Sequence, residues 1–538
     1  MTSDATPDIA AGIVSGERQL SADALALRSR HAAAVLAELG VGQGNRVALL
    51  LRNDFAYFEA TQGAALLGAS SVPLNWHLTV DEIDHILRDC EARVVVVHAD
   101  LLTPALHRLL QELGVVPLVV DTPPEWQTGQ ADDDASPLNT ASATGGPLRW
   151  DAALAGLPPW QASPVPIVGP MFYTSGTSGR PKGVQRSGQV PPEVALAAQR
   201  RTLQAWGLAP QPGESAPRAV MTGPLYHSAP NAYGMNLVRS GGLLVLQPRF
   251  DAAALLALIE QYRITHLHMV PTMFVRLLQL PEAIRQRHDL SSLRCVVHGA
   301  APCPADIKRR MIDWWGPVIG EYYAMTETGI ITTSTSAQWL AHPGTVGCAA
   351  PGVQIRITDD HGSELPRGQT GEICLRSETT DHVSYHRADG QTAALRRDGF
   401  LRTGDVGHLS DDGFLFISDR KSDLVISGGV NIYPAEVEAV LLQMPGIRDA
   451  AVFGVPDDEM GERVVAAIEA SGLDAAAVTA FLRERLAGYK LPRAMRFDLV
   501  LPREDSGKVK KRLLRERWMQ GPVDAMGGLA LPAGRPQG

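Results

Sequence analysis

The chain has 538 residues, more than one hydrophobic core serves, so two or more domains are expected. Hydrophobic residues make up 45% and charged residues 20%, and the formal net charge of −9 excludes an extended basic face for nucleic acid while leaving room for a local phosphate site. Five widely spaced cysteines without a CxxC pair suggest neither a disulfide framework nor a zinc cluster and fit a reducing, cytoplasmic compartment. The opening MTSDATPDIA has no signal-peptide pattern, and no apolar run reaches the length of a membrane span.

In chain order, RVALLL (Arg46–Leu51), VVVV (Val94–Val97) and VVPLVV (Val115–Val120) read as buried strands. Thr122–Pro147, rich in Asp, Ser, Thr, Gly and Pro, reads as a surface loop. Asp251 reads as an N-cap with Phe250 stapled onto Leu255, and the helix leads to the strand ITHLHMV (Ile264–Val270). RCVVH (Arg294–His298) is next, then a helix opened by Pro304, with Ile307, Met311 and Trp314 on one face and Gly316 as its stop. Alternating strands and helices imply βαβ units on a parallel sheet. After about residue 340 VQIRI, EICLRS, and the pair VGHLS and FLFIS around Asp411-Asp412-Gly413 predict antiparallel structure. From about Asp423 to Met519 a smaller α+β unit follows, with Pro434 starting one helix, Asp474 capping another and Gly488 ending it; the Gly/Pro-rich tail reads as disordered.

Tyr173–Gly183 reads YTSGTSGRPKG. After the short strand MFY, the hydroxyls of Thr174, Ser175, Thr177 and Ser178, the backbone freed by Gly176, Gly179 and Gly183, and the cation of Lys182 form a set suited to polyphosphate. Lys182 is followed by Gly rather than Ser or Thr, so the loop is not a Walker A motif. It closely resembles the signature loop of the adenylate-forming superfamily, which holds acyl-CoA synthetases, adenylation domains of nonribosomal peptide synthetases, and firefly luciferase.

The other motifs of that family stand in the same order over nearly the whole chain. In PLYHSAP the resemblance implies that His227 borders the acyl pocket and the thiol tunnel. In HGAAPCP it implies that Gly299, Ala300 and Ala301 line adenine and acyl group; close strand–helix packing explains the small residues equally. YAMTE resembles the family's YGxTE: Tyr323 would stack on adenine, Thr326 would contact the α-phosphate, and Glu327 would hold Mg²⁺, with Ala324 replacing the usual Gly beside Met325. Asp405 in RTGD would accept the ribose hydroxyls, helped by Arg420. Ser427, Gly428 and Gly429 of SGGVNIYP would wall the pantetheine tunnel. Lys508 of LPREDSGKVKKR would reach the reacting carboxylate and α-phosphate. The hinge position falls at Ser422, and the position that can stack on the CoA adenine at Met460.

The resemblance thus implies an α/β chain with a large N-terminal domain (1–421) of βαβ subdomains plus an antiparallel β subdomain, a small mobile α+β C-terminal domain (422–520), and a tail (521–538). It implies an AMP-forming carboxylate–CoA ligase using ATP, Mg²⁺ and coenzyme A, closest in pattern to bacterial fatty-acid-type acyl-CoA synthetases. The candidate acyl pocket holds His227, Met269, His298, Gly299 and Met325, with no Asp or Arg awaiting an amino group, which points to a hydrophobic monocarboxylate: fatty, alicyclic, aryl or steroid side-chain acid. A stand-alone enzyme loading a carrier-protein phosphopantetheine and a non-catalytic nucleotide-binding protein are the alternatives. Oligomeric state, a homodimer included, is not legible.

Overall fold

A computed structural model of the chain describes residues 10–127, 147–161, 165, 168–174, 181–186, 192–209, 213–420, 423–427, 430–457, 459–470, 472–497, 500–503 and 508–520, the side chains of residues 186 and 192 excepted. The tail and most of the loop expected at 122–147 lie outside the described residues.

Val94–His98 is buried at every position, as a strand covered on both faces must be. It runs parallel to Arg46–Leu50 and Val116–Val120, with Ser70–Pro73 and Leu148–Arg149 at the edges. The crossover helices start on sequence signals. Thr79 and Glu82 form a capping box on Val80–Cys90, and Thr103 caps Pro104–Leu113 with proline in the first turn.

A second sheet of fourteen strands carries the centre of the molecule. Its parallel part places Leu243–Leu246, Arg218–Met221, His266–Met269, Cys295–His298 and Ile319–Met325 side by side. The antiparallel structure expected after residue 340 is hydrogen-bonded onto that centre as one continuous sheet, through Gly329–Ser334, Gly347–Ala349, Phe414–Arg420, Phe400–Leu409, Gly371–Arg376 and Gln354–Thr358. A third, small sheet pairs Phe172–Thr174, Lys182–Arg186 and Val383–Tyr385. The C-terminal unit has its own five strands, dominated by the pair Ile447–Asp457 and Gly461–Ala470, and its own apolar core around Val425, Val437, Val452, Ile468 and Leu482.

Asp251 caps Ala252–Gln261 through the Ala254 N–H at 2.7 Å, and Phe250 packs on the cluster that contains Leu255. On Ala305–Trp315 the buried stripe holds Ile307, Met311 and Trp315, and Trp314, half-buried near Arg285, packs against the same apolar cluster. One helix expectation needs correction. The helix capped by Asp474 ends at Arg483, with Glu484 as its last turn; Gly488 instead opens a short 3₁₀ turn, Gly488–Lys490.

The helix Ala305–Trp315 also contains a buried charge. Lys308 is fully buried, its Nζ 2.5 Å from Glu321 Oε2 and 4.9 Å from the Trp339 ring centre. His298, fully buried, brings Nε2 to 3.6 Å from the same carboxylate oxygen. Burial raises the Glu321 carboxyl above its usual range, and Lys308 opposes the shift. A buried pair of this kind adds little net stability, but breaking it leaves a charge without a partner. Lys308→Met is therefore expected to destabilise the large domain by about 3–5 kcal/mol, and adding Glu321→Leu to recover most of the loss, read as urea midpoints. Equal midpoints for Lys308→Met and the native chain would mean that Glu321 is already neutral.

Candidate active site

Three of the expected segments lie at the carboxyl ends of the parallel strands, where an open α/β sheet offers its crevice. His227 follows Arg218–Met221, Gly299 to Ala301 follow Cys295–His298, and Met325 to Glu327 close Ile319–Met325. His227 takes the N-cap position of Ser228–Arg239, its ring beside Tyr226 at 4.6 Å between centres. One residue on, Ser228 Oγ lies 3.1 Å from Thr326 Oγ1, joining the PLYHSAP and YAMTE segments.

Gly299 has no room for a side chain: a Cβ there would sit 2.7 Å from the Tyr322 ring and 2.8 Å from its carbonyl. Ala300 then turns with φ +69°, a left-handed conformation rare for a residue with a Cβ, and Ala301 leads toward Pro304. In the next strand the ladder slips between Tyr323 and Ala324, so Ala324 pairs Ile330 and Met325 pairs Gly329.

Asp405 and Arg420 are cross-strand partners. The carboxylate is nearly buried; Oδ2 accepts the Tyr323 hydroxyl at 2.5 Å and Oδ1 lies 3.3 Å from Arg420 Nε. Burial, then the Asp405 charge, push the Tyr323 phenol well above its usual range, so it stays protonated and donates. Glu327 is held alike, accepting from the Tyr385 hydroxyl at 3.0 Å through Oε1.

Of the phosphate loop, Thr174 and Lys182 are described and face each other across the hairpin; Ser175, Gly176, Thr177, Ser178 and Gly179 lie outside the described residues. Its base is fastened to the helix Val80–Cys90 of the N-terminal unit: the Tyr173 hydroxyl donates to Asp89 at 2.5 Å, and the Pro181 carbonyl lies 3.1 Å from His85 Nε2. Gly183 is packed so closely that a Cβ would meet the Met171 Cε at 2.3 Å.

The acyl candidates divide between the two faces of the sheet. Met269 and His298 are register partners, fully buried on the side of Phe274 and Lys308. On the opposite side, behind Gly299, Tyr322 donates to or accepts from His268 Nε2 at 2.7 Å, with Trp206 and Tyr233 packed around. Tyr322 is thus the side chain next to Gly299, with His268 bonded to it, and alternation along the strands, which puts 268 opposite 269, is the signal that finds this face.

On the C-terminal unit Ser427 pairs with Gly461, beside the half-exposed Met460, so two of the residues expected at CoA come together. Lys508 stands next to the bridge Arg503–Val509; Ser422, Gly428 and Gly429 lie outside the described residues. The Asp419 carboxylate accepts the Ala435 N–H at 2.9 Å, tying the strand that ends at Arg420 to the helix Pro434–Leu441 across the expected hinge. Among the described residues no group of three or more His, Cys, Asp or Glu is gathered for a metal, and no helix is long and apolar enough to cross a membrane.

Known proteins share this arrangement. The AMP-binding enzyme family matches residues 2–381, and the AMP-binding enzyme C-terminal domain matches residues 436–508. A feruloyl-CoA synthase of an Amycolatopsis species is 34% identical over 493 residues, 89% of this chain and 90% of that protein. The 3-[(3aS,4S,7aS)-7a-methyl-1,5-dioxo-octahydro-1H-inden-4-yl]propanoyl:CoA ligase of Mycobacterium tuberculosis is 34% identical over 520 residues, 94% and 95% of the two chains. The ATP-bound crystal structure of MatB from Rhodopseudomonas palustris superposes with a TM-score of 0.80 at 29% identity, covering 96% of this chain and 97% of that one.

The buried histidine behind Gly299 gives a pH signature. Burial lowers the His268 pKa from 6.5 to about 4. Between those values the unfolded chain binds a proton that the folded chain refuses. Stability is therefore greatest above pH 6.5 and falls as the pH drops toward 4, by on the order of 3 kcal/mol from this group. Denaturation midpoints over pH 4–7 should show that slope, and His268→Gln should flatten it; an unchanged slope would mean that His268 is protonated in the fold.

Proposed function

We infer that this chain, which belongs to the AMP-binding enzyme family and is an acid–thiol ligase, joins a hydrophobic monocarboxylic acid to coenzyme A by way of an acyl-adenylate. The observation that carries the reading is the meeting of Thr326, Glu327, Tyr323 and Asp405 with the Lys182 hairpin at one end of the sheet.

In the first half-reaction a carboxylate oxygen of the acid attacks the α-phosphorus of ATP, and the bond to pyrophosphate breaks. Asp405 and Arg420 take the ribose end, Tyr323 and the Gly299–Ala301 turn the adenine, and Thr326 the α-phosphate. Lys182 and the hydroxyls of Thr174, Ser175, Thr177 and Ser178 take the departing phosphates. Lys508 meets the negative charge that gathers between carboxylate and phosphorus. Glu327 offers one hard oxygen, and with phosphate oxygens of the substrate it suits Mg²⁺, which keeps few protein ligands in such sites. When bound there, the ion would neutralise the leaving pyrophosphate.

In the second half-reaction the CoA sulfur attacks the acyl carbon, the thiol gives up its proton, and AMP leaves. The C-terminal unit turns about Ser422, exchanging Lys508 for the loop of Ser427, Gly428 and Gly429. His227 stands at the junction of acyl and thiol paths. The aryl and polycyclic acids named for the relatives favour a bulky apolar acid, received beside Gly299, His268 and Tyr322. ATP, CoA and five free cysteines suit the cytoplasm.

Given a good acid, Mg²⁺ and no CoA, the protein is expected to exchange labelled pyrophosphate into ATP; release of ADP would overturn the reading. Lys508→Ala should slow adenylate formation roughly 10²–10³-fold and spare thioester formation from supplied acyl-adenylate. Equal loss in both halves, seen by single-turnover assay, would remove the turning step.

A further inference from the structure

We propose that Tyr385 is a positioning residue that couples the phosphate-loop lysine to the Glu327 carboxylate, so that cation and anion are set at fixed places across the polyphosphate site. The inference rests on the nucleotide reading above and names a residue outside the motifs quoted there.

The geometry has three parts. The Tyr385 hydroxyl donates to Glu327 Oε1 at 3.0 Å, which orients the carboxylate and leaves Oε2 to the site. The face of the same ring receives the Lys182 ammonium at 5.4 Å from its centre. Among the described residues Lys182 makes no ion pair, so the ring keeps the two opposite charges apart while holding both. Without such a spacer, a lysine and a carboxylate facing one cavity would pair directly, and substrate would have to break that pair.

The backbone fixes the ring in turn. Tyr385 is the register partner of Val184 in the strand that begins at Lys182, and the next residue donates from His386 N to the Gly183 carbonyl at 2.8 Å. The Tyr385 N–H donates to Thr392 Oγ1 at 2.9 Å. Strand Val383–Tyr385 is therefore hydrogen-bonded to the phosphate hairpin, while the hydroxyl reaches Glu327, which stands in the turn between two strands of the central sheet.

The two functions of the ring separate by substitution. Tyr385→Phe keeps the face for Lys182 and loses the hydroxyl. ATP binding by calorimetry in EDTA should stay within about twofold of the native chain, while the Mg²⁺ concentration that half-saturates the metal-dependent gain in ATP affinity should rise roughly 10-fold, the scale for one hydrogen bond to a charged group. Tyr385→Leu removes the face as well and should also weaken ATP binding in EDTA. A cycle with Glu327→Gln isolates the contact: in Tyr385→Phe/Glu327→Gln the Mg²⁺ requirement should match that of Glu327→Gln alone. An unchanged Mg²⁺ titration in folded Tyr385→Phe, or additive effects in the cycle, would overturn the proposal. A native chain whose ATP binding gains nothing from Mg²⁺ would instead overturn the placing of the ion at Glu327.

Discussion

A parallel sheet delivers the loops after its strands to one edge, and that constraint organises the molecule. PLYHSAP, HGAAPCP and YAMTE stand far apart in the chain, yet each lies at the carboxyl end of a strand of the same sheet. Hydrogen bonds between neighbouring strands fix the spacing of the loop origins to a few ångströms. The antiparallel strands added beyond Ile319–Met325 bring Asp405 and Arg420 to the same edge, without a separate interface to form.

Loop origins alone do not hold side chains in place, and here the second layer of structure enters. Each nearly buried carboxylate of the site carries a donor from another element: Tyr323 and Arg420 on Asp405, Tyr385 on Glu327. A buried ion without such partners would be neutralised or drawn to water. Tyrosine suits the task because burial keeps its phenol protonated, so it orients a carboxylate without cancelling its charge. Lys308 and Glu321 act one layer deeper, fastening the helix after HGAAPCP to the strand before YAMTE.

Much of this was legible in the sequence. The runs RVALLL and VVVV became strands because continuous apolar character fits a two-faced burial, and Asp251, Pro434 and Asp474 mark helix starts because an orphan N–H or a fixed φ is a local matter. What failed depended on packing at a distance. Gly488 had the chemistry of a helix stop, but its helix had already ended. Nothing local in the sequence singles out Lys308, whose partner Glu321 stands on another element. Tyr385 lies in HVSYHR, a segment with no catalytic pattern, and its meaning comes from pairing with a strand some two hundred positions earlier. His268 was hidden by the neighbouring Met269, whose side chain points to the other face.

The account stands or falls on which atom of the acid meets which phosphorus. A substrate acid labelled with ¹⁸O in both carboxylate oxygens distinguishes the routes in one turnover with ATP and CoA. Attack at the α-phosphorus, which the site's arrangement supports, should leave one labelled oxygen in AMP and one in the thioester carbonyl. Label recovered in pyrophosphate or inorganic phosphate, with AMP unlabelled, would contradict the acyl-adenylate and the roles drawn from it.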